Sequence, residues 1–456
     1  MGEEPIQQGK NGLKMQIDPP SPKSLQKEWL GLKWGMVILP FNPILSLPGL
    51  LFALFVTWKK EYKRLFNSLL GIGFGILSLW LIVTTVLADN RGEAALGLAN
   101  FLPYFGVLLA FHLLLPSISH LRQLAWVLVL GSLLITLLGF GQIYAGWESP
   151  TFLRIIGSNL IAHGRPEGRM SSLLMYANLF SAYLLMVLPL SLGLVTDFYQ
   201  NWQRDRRRFP TWLLGLLGFT ALINAIALFL TNSRSAWAIL FLIVLAFAFY
   251  WRWYWLIGIS LGLAGIVMWA SWGPFAKEPL RKIVPEYLWS RLSDEMYPDR
   301  YMTAFRSTQW EFAWNMMLNR PLTGWGLRNF TPLYQAKMNV WLGHPHNIFV
   351  MLLGEIGIPG TILFVGLVGW ILFNATRLLL IWSRQSRSQK KQRDHLLLLS
   401  YLIAFGSVTL YNLSDVTIFD IRVNLIGWII LAAIAGIVSR YQRLLPLLRN
   451  LQSAVK

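Results

Sequence analysis

The stretch WGMVILPFNPILSLPGLLFALFVTW, residues 34–58, decides how many times this chain crosses a membrane. Its 25 residues could span about 30 Å of hydrocarbon as a single helix. Pro40, Pro43 and Pro48 interrupt it, and each proline removes a backbone donor and disfavours a continuous helix. The stretch is therefore either one broken span or a hairpin of two short helices.

The composition of the whole chain indicates a lipid environment. Of its 456 residues, 55% are hydrophobic and 13% are charged, which leaves too little polar surface for a water-soluble protein of this length. The sequence predicts an all-α polytopic membrane protein with ten spans beyond residue 58. These apolar runs lie at residues 68–88, 98–116, 123–144, 172–195, 211–231, 236–251, 254–272, 347–381, 396–413 and 419–438.

The positions of the basic residues choose between the two interpretations of residues 34–58. The net charge is +19, and most Lys and Arg residues lie in short loops between spans, as they do in cytoplasmic loops. The basic cluster at residues 59–64 lies on the same side of the membrane as the other basic loops only if residues 34–58 form a hairpin. The sequence thus predicts about 12 transmembrane helices, the first two short, with both termini cytoplasmic, in the inner (cytoplasmic) membrane. Topology explains this charge pattern, so no nucleic-acid partner is expected.

This topology divides the chain into five parts, of which one long external loop is the most informative. The residue pattern of that loop predicts an amphipathic helix at residues 305–317 and a turn at residues 320–326. The five parts are a disordered cytoplasmic tail (1–33), N-terminal transmembrane helices (34–272), the partly helical external loop (273–346), C-terminal transmembrane helices (347–438) and a cytoplasmic tail (439–456).

The motif Gly343-His344-Pro345-His346-Asn347 ends the external loop where the chain re-enters the membrane. An imidazole at such a boundary is partly desolvated yet reachable from water, which suits a general base near neutral pH. The alternative is a helix-entry turn in which Pro345 and Asn347 shape the backbone and His346 only lies at the interface. His344 and His346 could supply two metal ligands, but no third ligand has a convincing spacing, so no metal is expected.

Three arginines, Arg169, Arg234 and Arg422, directly adjoin spans on the external side, where the positive-inside rule disfavours them. Arginine at a membrane edge is usually paired or holds an anion, and its guanidinium matches phosphate oxygens in a bidentate manner. The alternatives are insertion among lipid headgroups and pairing with Asp415 or Asp420. Convergence of three arginines beside one external histidine would favour a phosphate or pyrophosphate site.

Four segments resemble the O-antigen ligase and polymerase superfamily of polytopic glycosyltransferases. The most specific is His346-Asn347, followed after nine residues by Gly357-Ile358-Pro359-Gly360-Thr361, similar to the family's signature of His followed by Asn, Ser or Gln and a spaced Gly-x-x-Gly. The other three are residues 231–237, similar to its Ser-Arg turn, residues 305–326, similar to its long external loop, and Arg169 with Asn178 nine residues on, similar to its earlier arginine segment.

The resemblance implies transfer of a glycan from an undecaprenyl-pyrophosphate carrier to a hydroxyl of a glycan, lipid or protein acceptor on the external face. The mechanism it implies is inverting and independent of metals and other cofactors. His346 would be the general base, and Arg169, Arg234 and Arg306 would bind the pyrophosphate leaving group. Supporting roles around them would fall to His344, Asn347, Asp415 and Arg422.

The resemblance leaves two alternatives open. Ligase and polymerase use the same donor chemistry and differ in the acceptor, so the sequence does not separate them. One branch of the superfamily is described as bicarbonate transporters, and Arg306 and the Ser-Arg segment resemble that branch too. Its members tend to lack the His-Asn pair, and a transporter should show interrupted spans in two related halves. Retention of His346 therefore favours a transferase over a small-anion transporter.

Overall fold

The computed structural model describes residues 25–207, 209–275, 277–293, 295–296, 305–385 and 389–454, with the backbone alone at 384–385, 389–393 and 443–454. The structure of these ranges is built from helices, without a ladder of strands. The helices are α1 (Gln26–Ile38), α2 (Pro43–Phe66), α3 (Leu69–Val86), α4 (Arg91–Leu98), α5 (Leu102–Leu114), α6 (Ile118–Tyr144), α7 (Thr151–Ile155), α8 (Ala177–Arg204), α9 (Thr211–Leu230), α10 (Arg234–Trp251), α11 (Tyr254–Trp272), α12 (Lys277–Ile283), α13 (Glu286–Leu292), α14 (Arg306–Asn319), α15 (Phe330–Met338), α16 (Ile348–Gln385), α17 (Gln389–Tyr411) and α18 (Ile421–Ala454).

Ten segments of the described chain are long and apolar enough to cross a membrane. They are α3, α4 together with α5, α6, α8, α9, α10, α11, α16, α17 and α18, and each overlaps one of the ten predicted apolar runs. The prediction of an all-α polytopic membrane protein is therefore confirmed. Helix α18 continues to Ala454, so most of the predicted C-terminal tail extends this last helix.

Five connecting segments share one end of the bundle, which we call the loop face. The first of them contacts the long loop through the N–H of Asp89, which donates to Trp325 O at 3.2 Å. The last contacts the residue that follows this loop, because Asn412 O accepts from the N–H of Ile348 at 2.9 Å. We call the opposite end the basal face. The segments of the loop face are residues 87–90, 145–176, 231–233, 273–347 and 412–420.

Residues 34–58 contain the predicted hairpin turn. The chain reverses at residues 39–42, where Asn42 Oδ1 accepts a hydrogen bond from the N–H of Leu45 at 2.9 Å and Pro43 begins α2. Asparagine at the N-cap and proline in the first turn are both favourable starts for a helix. The tip of the hairpin reaches the loop face, because Asn42 Nδ2 donates to Ile156 O at 2.8 Å and to Ser158 Oγ at 2.9 Å.

The hairpin helices are longer than the predicted boundaries. Helix α1 begins at Gln26, so residues 26–33 are helical, in contrast to the disordered tail expected there; residues 1–24 lie outside the described residues. Helix α1 has 13 residues, about 20 Å of rise, and is too short to cross the hydrocarbon alone. At the basal end, Lys60 Nζ lies 2.6 Å from Glu28 Oε1, an ion pair that joins the two helices.

The hairpin predicts where introduced cysteines can be labelled in this naturally cysteine-free chain. Tyr62 is half exposed near the basal end of α2, and Glu167 is exposed on the loop face. In intact cells, Tyr62→Cys should resist a membrane-impermeant thiol reagent while Glu167→Cys is labelled. Permeabilised cells supply the control, since both positions should then react. Labelling of Tyr62→Cys in intact cells would contradict the assignment of the basal face to the cytoplasm.

The long loop is fixed to a break in α16 at the predicted Gly-Ile-Pro-Gly turn. Gly357 has φ 72° and ψ 177°, and a Cβ there would lie 2.1 Å from Leu322 O, so only glycine fits. Three loop bonds use backbone groups around the break. They are Trp325 N to Gly354 O (3.0 Å), Gly326 N to Glu355 O (2.8 Å) and Ile358 N to Pro321 O (2.8 Å). This attachment determines where α14 and residues 343–347 lie.

Candidate functional site

A cavity of about 830 Å³ opens at the loop face, where four separate parts of the chain meet. Its walls come from the start of α4, the segment before α8, the long external loop and the segment between α17 and α18. It combines polar and aromatic side chains at a membrane boundary. The polar and aromatic lining residues are Asn90, Glu93, Arg165, Tyr176, Asn178, Arg328, Thr331, Gln335, Trp341, His344, His346, Asp415, Phe419 and Asp420.

Helix α14 fixes His346 in this cavity. Nδ1 of His346 lies 3.0 Å from Oε1 of Gln309, whose side chain is buried. The next residue of α14, Trp310, donates from Nε1 to Pro345 O at 2.9 Å and so holds the backbone of the motif. His346 itself has φ 54°, a left-handed conformation that costs a residue with a side chain about 1 kcal/mol or more. The amphipathic helix predicted in the long loop thus holds the predicted base in a strained, defined position.

His344 lies beside His346 but has a different hydrogen-bond pattern. The backbone N–H of His346 donates to Nδ1 of His344 at 3.2 Å, so the neutral His344 ring carries its proton on Nε2. Nε2 faces Asp415, whose Oδ1 is 3.6 Å away. Burial lowers the pKa of His344; the charge of Asp415 opposes this and the charge of Arg306 adds to it. His344 is therefore a neutral N–H donor directed at Asp415, with its ring stacked on Phe419.

The two histidines and Asp415 also form a group that bears on the question of a metal. Each offers one potential ligand atom, and these atoms lie within 4.8 Å of one another. Asp415 is the third candidate ligand that the sequence could not identify. A metal on His344 would need the lone pair of Nε2, and that nitrogen carries the ring proton while Nδ1 accepts the bond from His346. The hydrogen bonds of the two histidines favour acid–base chemistry. That the site works without a metal stays a prediction.

Hydrogen bonds connect Arg169 to Asp415, the carboxylate that faces His344 at 3.6 Å. Asp415 is buried, and its Oδ2 accepts from Asn178 Nδ2 at 2.7 Å. Oδ1 of Asn178 accepts from Arg169 Nη2 at 2.6 Å, and Arg169 Nε donates to Thr231 O at 2.8 Å. The pairing of Arg169 with Asn178, noted in the sequence, is thus a direct contact that leads through Asp415 to His344.

The other two predicted pyrophosphate ligands occupy different surroundings. Arg234 begins α10 and donates from Nη1 to Arg291 O at 2.9 Å, while Arg291 Nη2 donates to Asn232 O at 2.6 Å. Arg306 begins α14, is exposed, and lies close enough to His344 to lower the pKa of that ring. The structure therefore brings Arg306 near the histidines and keeps Arg234 in a neighbouring cluster around the Ser-Arg turn.

Arg422 is an internal structural residue. It is 2% exposed, and its Nη1 donates to Leu173 O at 2.5 Å. Its Nη2 lies 3.4 Å from Asp420 Oδ2, which is the pairing that the sequence left open as an alternative. A buried guanidinium used in this way ties the segment before α8 to the start of α18, and it is not available to a ligand in the cavity.

Asn347 has a role in the helix that follows it. Its Oδ1 accepts from the N–H groups of Phe349 at 3.0 Å and Val350 at 3.3 Å, the pattern of an N-cap residue. The ring of His346 contacts Gln309 instead, and a supporting role of Asn347 at the site stays a prediction.

Sequence reasoning missed several residues of the cavity. Gln309 lies on the polar side of a predicted amphipathic helix, and its position there was the one signal it offered. Arg328 and Glu93 form an ion pair at 2.9 Å on the cavity wall, although 235 positions separate them along the chain. Arg165 also lines the wall. Contacts at such separations leave no local pattern in a single sequence.

Comparison with protein families gives a match to part of the chain. No curated protein shows significant similarity to the chain. A family model described as O-Antigen ligase matches residues 219–365, from within α9 to beyond the break in α16. The matched range contains Arg234, Arg306, both motif histidines and Gly357, whereas Arg169 and Asp415 lie outside it. The match supports the resemblance to the O-antigen ligase and polymerase superfamily, and the resemblance to bicarbonate transporters has no counterpart in it.

Proposed function

We propose that this protein is a membrane glycosyltransferase that moves a glycan from an undecaprenyl-pyrophosphate carrier to an acceptor hydroxyl at the loop face. One observation carries the proposal. Hydrogen bonds from Arg169 through Asn178 reach Asp415, which shares a cavity at a membrane boundary with His344 and His346 and lies 3.6 Å from His344, and Gln309 holds His346. The family match supports a glycosyltransferase-type activity for the region that contains both histidines.

The reaction would be a single displacement. The acceptor oxygen attacks the anomeric carbon, the bond from that carbon to the pyrophosphate oxygen breaks, and the electron pair leaves with the lipid pyrophosphate. Attack opposite the leaving group inverts the anomeric configuration. His346 donates from Nδ1–H to Gln309, so Nε2 is the nitrogen that accepts the hydroxyl proton. Arg306, Arg169 and Arg234 would neutralise the charge that develops on the pyrophosphate.

The segment at residues 412–420 supports a donor that is part lipid and part anion, because two cavities lie on its two sides. Asn412 and Thr417 line an apolar groove, while Asp415 and Asp420 line the polar cavity. A molecule with an apolar chain and a charged headgroup could cross this segment with each part in a matching environment.

The groove has a volume of about 200 Å³ and runs along the membrane-facing part of the bundle. Val365 and Gly369 on its wall are exposed on the outer surface of α16, so a lipid chain could enter from the bilayer. Much of the wall is aromatic and aliphatic, from the residue before α5 and from α16, α17 and α18, and includes Phe101, Phe364, Val368, Leu372, Phe405, Val408, Trp428 and Leu431.

Removal of the protein from its native cells tests this proposal. We expect carrier-linked glycans to accumulate, because transfer to the acceptor is blocked while synthesis of the donor continues. The measurement is the extraction and sizing of lipid-linked intermediates together with surface polysaccharide. Long carrier-linked chains would indicate a ligase, and single repeat units would indicate a polymerase. Unchanged glycans with altered uptake of inorganic carbon would contradict the proposal and favour the small-anion transporter.

A further inference from the structure

Another cavity, of about 200 Å³, lies at the basal face, opposite the histidine pair, and both apolar and polar groups line it. It is enclosed by the C-terminal ends of α2 and α5 and by α18. The lining residues that matter are Arg64 from α2, His112 and Pro116 from α5 and its end, and Ser439 and Arg440 from α18. Three different helices thus contribute two guanidinium groups, an imidazole and a hydroxyl to one small space.

His112 is the unusual member of this group. Its side chain is 5% exposed, and Nδ1 is buried beside the carbonyls of Leu108 and Leu109 without a hydrogen bond of normal geometry. A buried polar group without a partner costs about 1–3 kcal/mol. The same side chain lines the cavity, so its ring forms part of the wall that a ligand would contact.

The charge around the cavity is positive. Arg440 donates from Nη1 to Pro116 O at 3.2 Å, which aims its guanidinium at the end of α5. Arg64 lies 3.4 Å from Glu61 on the outer side of α2, and Glu61 does not line the cavity. No carboxylate of the described residues lines it. The space therefore favours an anion small enough to reach two arginines.

We propose that this basal cavity binds a phosphate group, supplied by the headgroup of an anionic phospholipid or by soluble phosphate. Guanidinium groups bind phosphate oxygens in paired, charge-assisted hydrogen bonds, and basic pockets between transmembrane helices are characteristic sites for lipid headgroups. Bound phosphate would join α2, α5 and α18 at the face opposite the transfer site. The inference is independent of the proposed transferase activity.

The test compares wild-type protein with an Arg64→Gln/Arg440→Gln double variant by native mass spectrometry. Full-length protein in a neutral detergent is titrated with phosphatidylglycerol, with phosphatidylcholine, or with inorganic phosphate. We expect retention of phosphatidylglycerol by the wild type to exceed that of the variant about tenfold or more, since each hydrogen bond to a charged group commonly contributes at least that factor. An Arg204→Gln/Arg207→Gln variant, which removes two exposed charges from the same face, should bind like the wild type.

The outcomes separate the sources of phosphate and can overturn the proposal. Preferential loss of phosphatidylglycerol in the double variant identifies a lipid headgroup. Loss of inorganic phosphate binding, with equal lipid binding in all proteins, identifies soluble phosphate. Equal binding of both ligands by wild type and double variant overturns the site. If the double glutamine variant does not fold, the single variants Arg64→Gln and Arg440→Gln replace it, and wild-type binding of both ligands by both single variants overturns the proposal equally.

Discussion

Replacement of His346 by alanine is expected to lower the rate of glycan transfer by about 10²–10⁴, the usual contribution of a positioned general base. The structure gives this expectation a geometric basis, because a buried amide on α14 holds Nδ1 and leaves Nε2 for the hydroxyl proton. His344→Ala should cause a smaller loss. In the neutral ring, Nε2 of His344 carries a proton and faces Asp415, so this ring cannot accept a proton there.

The measurement is single-turnover transfer from a purified lipid-linked glycan in detergent, with donor binding followed in parallel. Donor affinity should change little in His346→Ala, because the base acts on the acceptor. Gln309→Leu is a matched variant that keeps the imidazole and removes its orienting partner, and its rate should fall between those of wild type and His346→Ala. Full activity of His346→Ala, or a loss confined to His344→Ala, would leave the motif as a helix-entry turn.

The fold could be predicted because its determinants are local. Each of the ten apolar runs carries its own signal, and the hairpin followed from prolines and from the side on which Lys59 to Arg64 must lie. What the sequence misjudged was the length of the hairpin helices. Polar residues such as Glu28 and Lys60 suggested that the helix had ended, whereas their ion pair stabilises its continuation.

The candidate site was predicted in part. The histidine motif and the arginine with Asn178 were visible as short patterns, and the structure brings them together. Asp415 joins them through Asn178 across 237 positions, a contact that no local pattern reports. Asn347 was singled out as a neighbour of His346, and Arg422 because it adjoins a span on the external side. The structure shows a further use for each, since Asn347 caps a helix and Arg422 bonds to a buried carbonyl, and helix ends and buried loops need polar partners of their own.

Arg306→Ala is expected to reduce transfer by about 10²–10³, the usual loss when one donor to a developing negative charge is removed. Arg306 is exposed at the first position of α14, so its removal should change the free energy of unfolding by less than about 0.5 kcal/mol. Arg306→Lys keeps a cation but loses the bidentate fork, so its transfer rate should lie between those of wild type and Arg306→Ala.

Arg422→Met should lower stability, because it removes a buried, hydrogen-bonded guanidinium. Its activity should follow the amount of folded protein.

Transfer rate and thermal unfolding, measured on the same preparations, distinguish a residue that acts on the leaving group from one that holds the fold. Arg91→Ala supplies the matched control, because Arg91 is also exposed at the first position of a helix on the loop face and does not line the cavity. It should leave both quantities unchanged. Wild-type transfer by Arg306→Ala would mean that the pyrophosphate is bound elsewhere. In that case Arg169, which is bonded through Asn178 to Asp415, would be the next arginine to test.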